Sequence, residues 1–141
     1  MILYLDTSSL LKLFMEEAGA GDVVARVESA GIVATSVIAY PEAHAALGRR
    51  RREGAITKTE FHNLLSRFKD GWLQVLSISL SAPVYTRAGR LAAQYALRGM
   101  DAIHLASYGE VLDRGDAEFL SHDGRLMEAA EKYRRHYRRK S

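Results

Sequence analysis

Four acidic residues stand where an apolar segment of the chain ends or a helical pattern begins: Asp6, Glu42, Asp101 and Asp123. Carboxylates that share a small pocket repel one another, and the pKa of at least one of them rises unless a cation is bound. A divalent cation lowers the pKa of a bound water and stabilises charge on the attacking and leaving oxygens of a phosphodiester. If folding brings the four residues together, the site is therefore suited to phosphodiester hydrolysis.

The elements that must position these residues follow from the pattern of apolar side chains. Short apolar runs alternate with longer helical patterns, which predicts an α/β domain with a mostly parallel sheet. The predicted strands cover residues 2–5, 32–35, 74–78 and 118–120. A capping box from Thr57 to Glu60 predicts a helix whose apolar face carries Phe68 and Trp72, which we interpret as core or dimer-face residues.

Several helix boundaries bear directly on the acidic residues. Ser36 is a suitable cap for the helix that carries Glu42, but Pro41 then removes a hydrogen-bond donor, so the helix either begins late or is kinked. Gly99 is predicted to end the helix that begins near residue 82, and Asp101 to cap the next one. The last helix is predicted to begin at Asp123.

The carboxyl ends of the strands are where the four acidic residues are expected to meet. In open parallel sheets, ligands bind outside this edge, where the following helices begin. Asp6 directly follows the first predicted strand, Asp123 follows the fourth, Asp101 opens a helix, and Glu42 lies in the first turns after the second strand. Mg²⁺ or Mn²⁺ is the cation that such an all-oxygen set favours, and one or two ions are compatible with it.

A purely structural interpretation exists for each acidic residue taken alone. Asp101 and Asp123 are in positions typical of helix caps, and Asp6 is as compatible with a cap as with a ligand. Glu42 alone is typical of a surface residue. Helix capping does not require that four carboxylates lie at one edge of the sheet. The expected position of all four at that edge therefore favours a shared site.

The composition is that of an ordinary soluble globular domain. The chain has 141 residues, of which 48% are hydrophobic and 26% charged, enough for one domain with a substantial core. It contains no cysteine, which excludes disulfides, thiolate zinc sites and cysteine nucleophiles and is compatible with a reducing cytoplasm. No apolar run approaches the roughly 20 residues of a membrane helix. We therefore expect a cytoplasmic protein without a membrane partner.

Charge is distributed unevenly along the chain. The formal net charge is +3, but six Lys and Arg residues follow Glu131 without an acidic residue among them, so the preceding part is mildly acidic. A second basic run covers residues 49–52. Basic edges around an acidic centre suit an enzyme that binds a polyanion at its rim and a metal in its middle.

Four short motifs occur in one order along the chain: residues 5–8 (LDTS), the pair 35–36 (TS) ahead of Glu42, residues 101–106 (DAIHLA) and residues 121–126 (SHDGRL). Together they resemble the PIN-domain family, in particular the VapC-type toxins of toxin–antitoxin pairs. The resemblance spans residues 1 to about 130. No single motif is specific, but four in register are.

The resemblance implies a three-layer α/β/α fold with four to five strands, in a single domain over residues 1–141 with a basic tail at about 132–141. It also implies a metal-dependent ribonuclease, with Asp6, Glu42, Asp101 and Asp123 as the catalytic, metal-binding set. Its partners would be RNA, such as transfer or ribosomal RNA, a cognate antitoxin and a second copy of the chain. Relatives often end in a further apolar strand, whereas residues 131–141 are basic, so either that strand is missing or the last helix continues.

Other polar residues are assigned supporting positions. Ser8 and Ser121 are candidates for hydrogen bonds to the acidic set, and His104 is interpreted as a hydrogen-bonded support more than a ligand. His122 is expected to face away from the cluster, and Asp116 is a candidate supporting acid. Two rival functions remain: a phosphoryl-transfer domain with Asp6 as covalent nucleophile, and a PIN scaffold that binds RNA or a partner without cleavage.

Overall fold

The computed structural model describes residues 1–140. In this part of the chain, strands and helices follow one another in the order β1 (Ile2–Leu5), α1 (Thr7–Leu11), α2 (Ala20–Ser29), β2 (Ile32–Ser36), α3 (Ala39–Arg52), α4 (Lys58–Trp72), β3 (Leu76–Ile78), α5 (Ala82–Tyr95), α6 (Gly99–Arg114), β4 (Ala117–Leu120) and α7 (Gly124–Lys140). The predicted third strand is thus shorter than expected at its beginning, while the capping box at Thr57 is present as predicted.

The four strands form one parallel sheet in the order β3-β2-β1-β4. In the centre, Tyr4 of β1 is paired with Ala34 of β2 on one side and with Phe119 of β4 on the other. The chain leaves β1 toward β2 and later returns to the opposite side of β1 as β4. Such a reversal at the carboxyl ends of the strands creates the crevice in which open α/β sheets bind ligands.

Helices cover both faces of the sheet, and all four residues of β1 are therefore buried. Ile2 and Tyr4 belong to a core with apolar residues of α5, α6 and α7. Leu3 and Leu5 point to the other face, where they pack with α1, α2, α3 and α4. This arrangement confirms the predicted three-layer α/β/α fold with a parallel sheet.

The helix that carries Glu42 begins late. Ser36 belongs to β2, its hydroxyl accepts a hydrogen bond from the backbone N–H of Ile38, and α3 begins only at Ala39. Pro41 therefore lies in the first turn, where a backbone N–H has no partner within the helix. Of the two alternatives that the sequence left open, the late start is the correct one.

The predicted boundary at Gly99 is wrong. α5 ends at Tyr95, and Ala96 adopts the left-handed conformation, with φ of 52°, that closes the helix. Gly99 instead begins α6, Arg98 is its cap residue, and Asp101 lies within the first turn. The prediction missed this because a glycine is the usual signal for a helix end, whereas here an alanine takes that conformation.

The basic C-terminal segment continues α7 as far as Lys140. In the described residues it therefore forms a helix and not a fifth strand. Buried Leu126, Ala129, Ala130 and Tyr133 hold this helix against the core. None of the helices in residues 1–140 combines the length and the apolar character needed to cross a membrane.

Candidate active site

Asp6 lies at the carboxyl end of β1 and is almost completely buried, with 5% of its surface exposed. Its Oδ1 accepts hydrogen bonds from the backbone N–H of Ser9 (3.0 Å) and the hydroxyl of Ser8 (3.3 Å). Its Oδ2 accepts one from the Ser121 hydroxyl at 2.6 Å. Asp6 is thus also the cap of α1. A carboxylate has about four lone-pair directions, so three neutral donors hold this charge and leave room for a further ligand.

Glu42 is held from two sides on the first turn of α3. Its Oε1 accepts a hydrogen bond from the Thr7 hydroxyl at 2.6 Å and lies 3.0 Å from Nε2 of His104. Burial raises the pKa of Glu42, but the hydrogen bonds from His104 and Thr7 and the nearby His104 ring outweigh burial and lower it overall. The carboxylate form is therefore favoured at neutral pH.

His104 links Glu42 to the core. Its ring is 2% exposed, and Nδ1 lies 2.8 Å from the hydroxyl of Tyr4, which is completely buried. Burial raises the pKa of Tyr4 well above its ordinary value, so this hydroxyl keeps its proton. Because the Glu42 carboxylate can only accept, we assign the ring proton to Nε2, which donates to Glu42, with Thr7 Oγ1 also at 3.0 Å. In this neutral tautomer, Nδ1 accepts a hydrogen bond from the Tyr4 hydroxyl. His104 occupies the supporting position that the sequence predicted.

Asp101 is the least restrained carboxylate of the three that line the cleft. It lies half-buried in the first turn of α6, where the helix N-terminus favours negative charge. Burial raises its pKa, and so do the charges of Asp123, Asp6 and Glu42, while His104 acts in the opposite direction. Because the charges of all three other acids act on the pKa of Asp101, the four predicted residues lie close enough in the fold to interact electrostatically.

Asp123 differs from the other three because it is exposed and engaged in capping α7. Its Oδ1 accepts the backbone N–H groups of Arg125 at 2.9 Å and Leu126 at 3.2 Å. Its own N–H donates to the Ser121 hydroxyl, which also holds Asp6. Asp123 therefore stands at the rim of the site, joined to Asp6 through one serine.

The cleft itself has a volume of about 260 Å³. Three of the predicted acids contribute to its lining, together with residues of α1, α3 and α6, namely Asp6, Thr7, Ser8, Leu11, Glu42, Ala46, Arg50, Asp101 and His104. From the sequence, Arg50 is only one member of the basic run 49–52 at the rim, whereas the structure places it in the lining of the cleft. The spacing of Glu42, Ala46 and Arg50 by four residues contains the signal, because it places all three on one helix face.

Arg50 is the cation of the cleft. Its Nη2 lies 3.3 Å from Glu17, and its Nη1 contacts the sulfur of Met15. These contacts hold a half-buried guanidinium beside the acids. A cation so placed can bind the phosphate of a ligand without occupying the positions of the carboxylates.

The donor set fits a hydrated divalent cation better than a tightly enclosed one. Within residues 1–140, no three His, Asp or Glu side chains lie close enough to form a preassembled metal site. Mg²⁺ normally keeps several waters and uses one or two carboxylates together with substrate phosphates. Asp6, Glu42 and Asp101 could hold such an ion, because Glu42 and Asp6 each present an ordered carboxylate and Asp101 gains from a nearby cation.

Two further candidates have clear positions. His122 is exposed, and its Nδ1 lies 3.0 Å from the hydroxyl of Ser9, away from the cleft lining. Asp116 lies at the opposite edge of the sheet, where its carbonyl accepts from Ile2 at the start of β1 and its carboxylate pairs with Arg134. Asp116 therefore does not support the acidic site.

Comparison with known proteins identifies the family. The PIN domain family matches residues 3–132, and the chain therefore belongs to the PIN domain family. Two curated relatives, Ribonuclease VapC45 and Ribonuclease VapC49 from two strains of Mycobacterium tuberculosis, are each 36% identical over 114 residues. The alignment covers 81% of this chain and 79% of each relative.

Solved structures share the fold at lower sequence identity. FitAcB from Neisseria gonorrhoeae matches with a TM-score of 0.68 and 18% identity, over 93% of this chain and 94% of that chain. VapBC2 from Rickettsia felis, bound to a DNA fragment from its promoter, matches with a TM-score of 0.57 and 13% identity, over 86% and 100% of the two chains. These similarities agree with the three-layer fold described above.

Proposed function

We propose that this protein is a divalent-metal-dependent endoribonuclease and the toxin of a toxin–antitoxin pair. The observation that carries the proposal is the cleft in which Asp6, Glu42 and Asp101 meet, in a PIN-domain chain 36% identical to proteins named as ribonucleases. All four acids predicted from the sequence are the proposed catalytic and metal-binding set, with Asp123 acting from the rim. Mg²⁺ or Mn²⁺ is the proposed cofactor.

Each residue has a distinct part in this proposal. A bound ion would activate water for hydrolysis and neutralise charge developing on the phosphate. Asp6 supplies a fixed carboxylate, because Ser8, Ser9 and Ser121 hold its oxygens. His104 sets the direction of the Glu42 carboxylate. Asp101 has less restraint, and its orientation can adjust to the ligand.

Arg50 supplies the positive charge that RNA requires in an otherwise acidic cleft. Its guanidinium is placed to donate hydrogen bonds to a phosphate beside the bond that is cut. Its partner Glu17 limits its movement. Binding of the phosphate by Arg50 would position the phosphorus for attack by water, and no covalent intermediate is needed.

A covalent phosphoenzyme is the less suitable mechanism for this site. Asp6, the nucleophile that it would need, already accepts three hydrogen bonds, which stabilise the carboxylate and reduce its nucleophilicity. A PIN scaffold that binds RNA without cutting remains the alternative function. That scaffold would have no use for an acid such as Asp101, whose pKa is raised first by burial and then by the charges of the neighbouring acids.

The partners of the proposal follow from the family relationship. VapC-type toxins act in pairs, and we propose a cognate antitoxin that covers the acidic cleft, a homodimeric assembly and a cytoplasmic location. Support comes from the motifs of the sequence and from the similarity of the fold to VapBC2. RNA, transfer or ribosomal, is the proposed substrate.

The experiment that tests this function is cleavage of total cellular RNA by the purified protein without any partner. Reactions contain Mg²⁺, Mn²⁺ or EDTA, and the wild type is compared with Asp6→Asn and with Asp70→Asn, which alters an exposed acid on α4. We expect discrete cuts that require metal, disappear in Asp6→Asn and persist in Asp70→Asn. Full activity of pure, folded Asp6→Asn would reject the site, and RNA binding in EDTA without cleavage in any metal would favour the scaffold.

A further inference from the structure

The basic run in α7 extends further than helix stability requires. Residues 132–140 contain six Lys and Arg residues and no acid. A helix dipole favours cations mainly in its last turn, which here holds Arg138, Arg139 and Lys140. Like charges four residues apart, such as Arg135 and Arg139, weaken a helix. Of the three remaining cations, Lys132 pairs with Glu128 and Arg134 with Asp116, whereas Arg135 forms no ion pair within residues 1–140. Arg135 and, in the last turn, Arg139 and Lys140 are therefore the part of the run that is open to a ligand of opposite charge.

Helical spacing places part of this run along a groove between α5 and α7. Gln94 and Tyr95 of α5 face His136 of α7 and form a wall shared by two neighbouring cavities of about 390 and 290 Å³. We call the two cavities together the basic groove. Its cations come from both helices and comprise Arg87, Arg90, Lys132, Arg135, Arg139 and Lys140.

Several of these cations are available to a ligand. Arg87 is engaged with Asp113, and Lys132 with Glu128. Arg90, Arg135 and Arg139 are exposed. None of these three forms an ion pair within residues 1–140. The groove is therefore positively charged after its internal pairs have been satisfied.

An aromatic side chain completes the chemistry of the groove. Tyr95 is half-buried and lines both cavities. A positive groove with an aromatic ring is the combination that binds single-stranded nucleic acid, since cations track phosphates and a ring stacks on a base. A membrane surface or an acidic protein would use the charges but would leave the ring without this partner.

Helix α7 runs from the rim of the acidic cleft, where Asp123 caps it, to the groove. The guanidinium of Arg125, in the first turn of α7, donates to the carbonyl of Ala96, and this bond joins the start of α7 to the end of α5. Asp123 caps the same end of α7. From Asp123 to His136, α7 rises about 20 Å, which corresponds to about six stacked nucleotides of one strand.

We propose that the basic groove binds a single-stranded segment of the RNA substrate, about four to six nucleotides away from the bond cut in the acidic cleft. Arg90, Arg135 and Arg139 contact phosphates, and Tyr95 stacks on a base. The inference rests on the proposed ribonuclease function for the identity of the ligand, but the binding step is separable from cleavage.

The test measures RNA binding and RNA cleavage separately. Binding of unstructured, fluorescently labelled RNA is measured by anisotropy in EDTA over a range of salt concentrations. Asp6→Asn serves as the background, so that cutting does not interfere. The groove variant Arg90→Gln/Arg139→Gln is compared with a matched control, Lys58→Gln/Lys69→Gln, which removes two exposed positive charges from α4. Tyr95→Leu is compared with Tyr95→Phe, which keeps the ring.

The groove variant removes two arginines, and each contact with a single-strand phosphate contributes about 0.7 to the slope. We therefore expect the slope of the logarithm of the RNA association constant against the logarithm of salt concentration to become less steep by about 1.4. The α4 control should keep the wild-type slope. Tyr95→Leu should weaken binding about fivefold or more, whereas Tyr95→Phe should bind like the wild type. RNA that extends only two or three nucleotides beyond the cut cannot reach the groove, and its cleavage should be unaffected by the groove substitutions.

Equal slopes for the groove variant and the α4 control would overturn the proposal, provided that circular dichroism shows both to be folded. A changed oligomeric state in light scattering with unchanged RNA affinity would assign the groove to a second copy and also overturn it. Groove-dependent binding by a wild type that cuts no RNA in any metal would support the groove while rejecting the nuclease function.

Discussion

The hydrogen-bonded line from Tyr4 through His104 to Glu42 allows a prediction of both stability and activity. His104→Phe removes the hydrogen bond between Nδ1 and the buried hydroxyl of Tyr4, beside which the side chains of Ser107 and Thr35 remain, so we expect this loss to cost about 1 kcal/mol. It also removes a bond to the Glu42 carboxylate, which is only half-buried, so water replaces part of that bond. We therefore expect a total loss of about 2 kcal/mol, a large share of the roughly 5–15 kcal/mol that holds a domain folded.

A double-mutant cycle separates the Tyr4–His104 bond from the other effects. Tyr4→Phe keeps the ring that stacks on Phe119 at 5.3 Å and should cost about 1–2 kcal/mol, because Nδ1 of His104 loses its donor. In His104→Phe/Tyr4→Phe neither group remains unpaired, so the double variant should be more stable than the sum of the singles predicts, by about 1 kcal/mol.

Urea unfolding in EDTA at neutral pH measures the cycle, and single-turnover cleavage measures the consequence for Glu42. Tyr4→Phe leaves the side chains of Glu42 and His104 in place, so it should reduce cleavage less than His104→Phe does. The assignment of a buried hydrogen-bonded line would be refuted if the changes in unfolding free energy of the two single variants add up to that of the double variant within about 0.3 kcal/mol. It would also be refuted if His104→Phe lowers the free energy of unfolding by less than about 0.5 kcal/mol.

Two further predictions concern the charges of the cleft. Because burial and the neighbouring acids raise the pKa of Asp101 in the folded chain, metal-free stability should fall as pH rises from the ordinary Asp value through that raised pKa. Asp101→Asn should abolish cleavage yet raise the Tm in EDTA at pH 7 by no more than about 3 °C, since solvent screens a half-exposed group. A Tm equal to or below that of the wild type, with Asp70→Asn as control, would contradict an unfavourable charge at Asp101. Arg50→Gln should raise the KM for RNA about tenfold with a smaller change in kcat, because it removes a charge-assisted phosphate contact, while exposed Arg49→Gln should behave like the wild type; an unchanged KM would remove Arg50 from the substrate site.

Much of the fold and the identity of the acidic residues could be predicted from the sequence because both depend on local patterns. The apolar run of β1 and the capping box at Thr57 each specify an element with little help from distant residues. Parallel strands then bring Asp6 and Asp123 to one edge of the sheet, although β1 and β4 are far apart in the chain. The convergence was predictable because sheet geometry makes it so.

The parts that could not be predicted depend on tertiary contacts. Ala96 takes a left-handed conformation that its residue type disfavours, so no local signal marked the end of α5. Asp116 resembled a supporting acid in sequence, but it lies before β4 and therefore at the amino edge of the sheet. The contact of Thr7 with Glu42 joins the start of α1 to α3. Only packing of the helices on the sheet fixes such distances.

The three carboxylates of the cleft are held in different ways, and this difference explains how the chain tolerates them before any cation binds. Neutral hydroxyl and backbone donors fix Asp6, and Thr7 and His104 fix Glu42, so these two charges gain hydrogen bonds that offset their burial. Asp101 is half-buried and accepts no such set of hydrogen bonds from residues 1–140, and its pKa is raised first by burial and then by the charges of its neighbours. The repulsion thus has its clearest effect at Asp101, which water can partly screen. A bound cation would relieve it there, and the folded chain would gain stability from the same ion that the proposed chemistry requires.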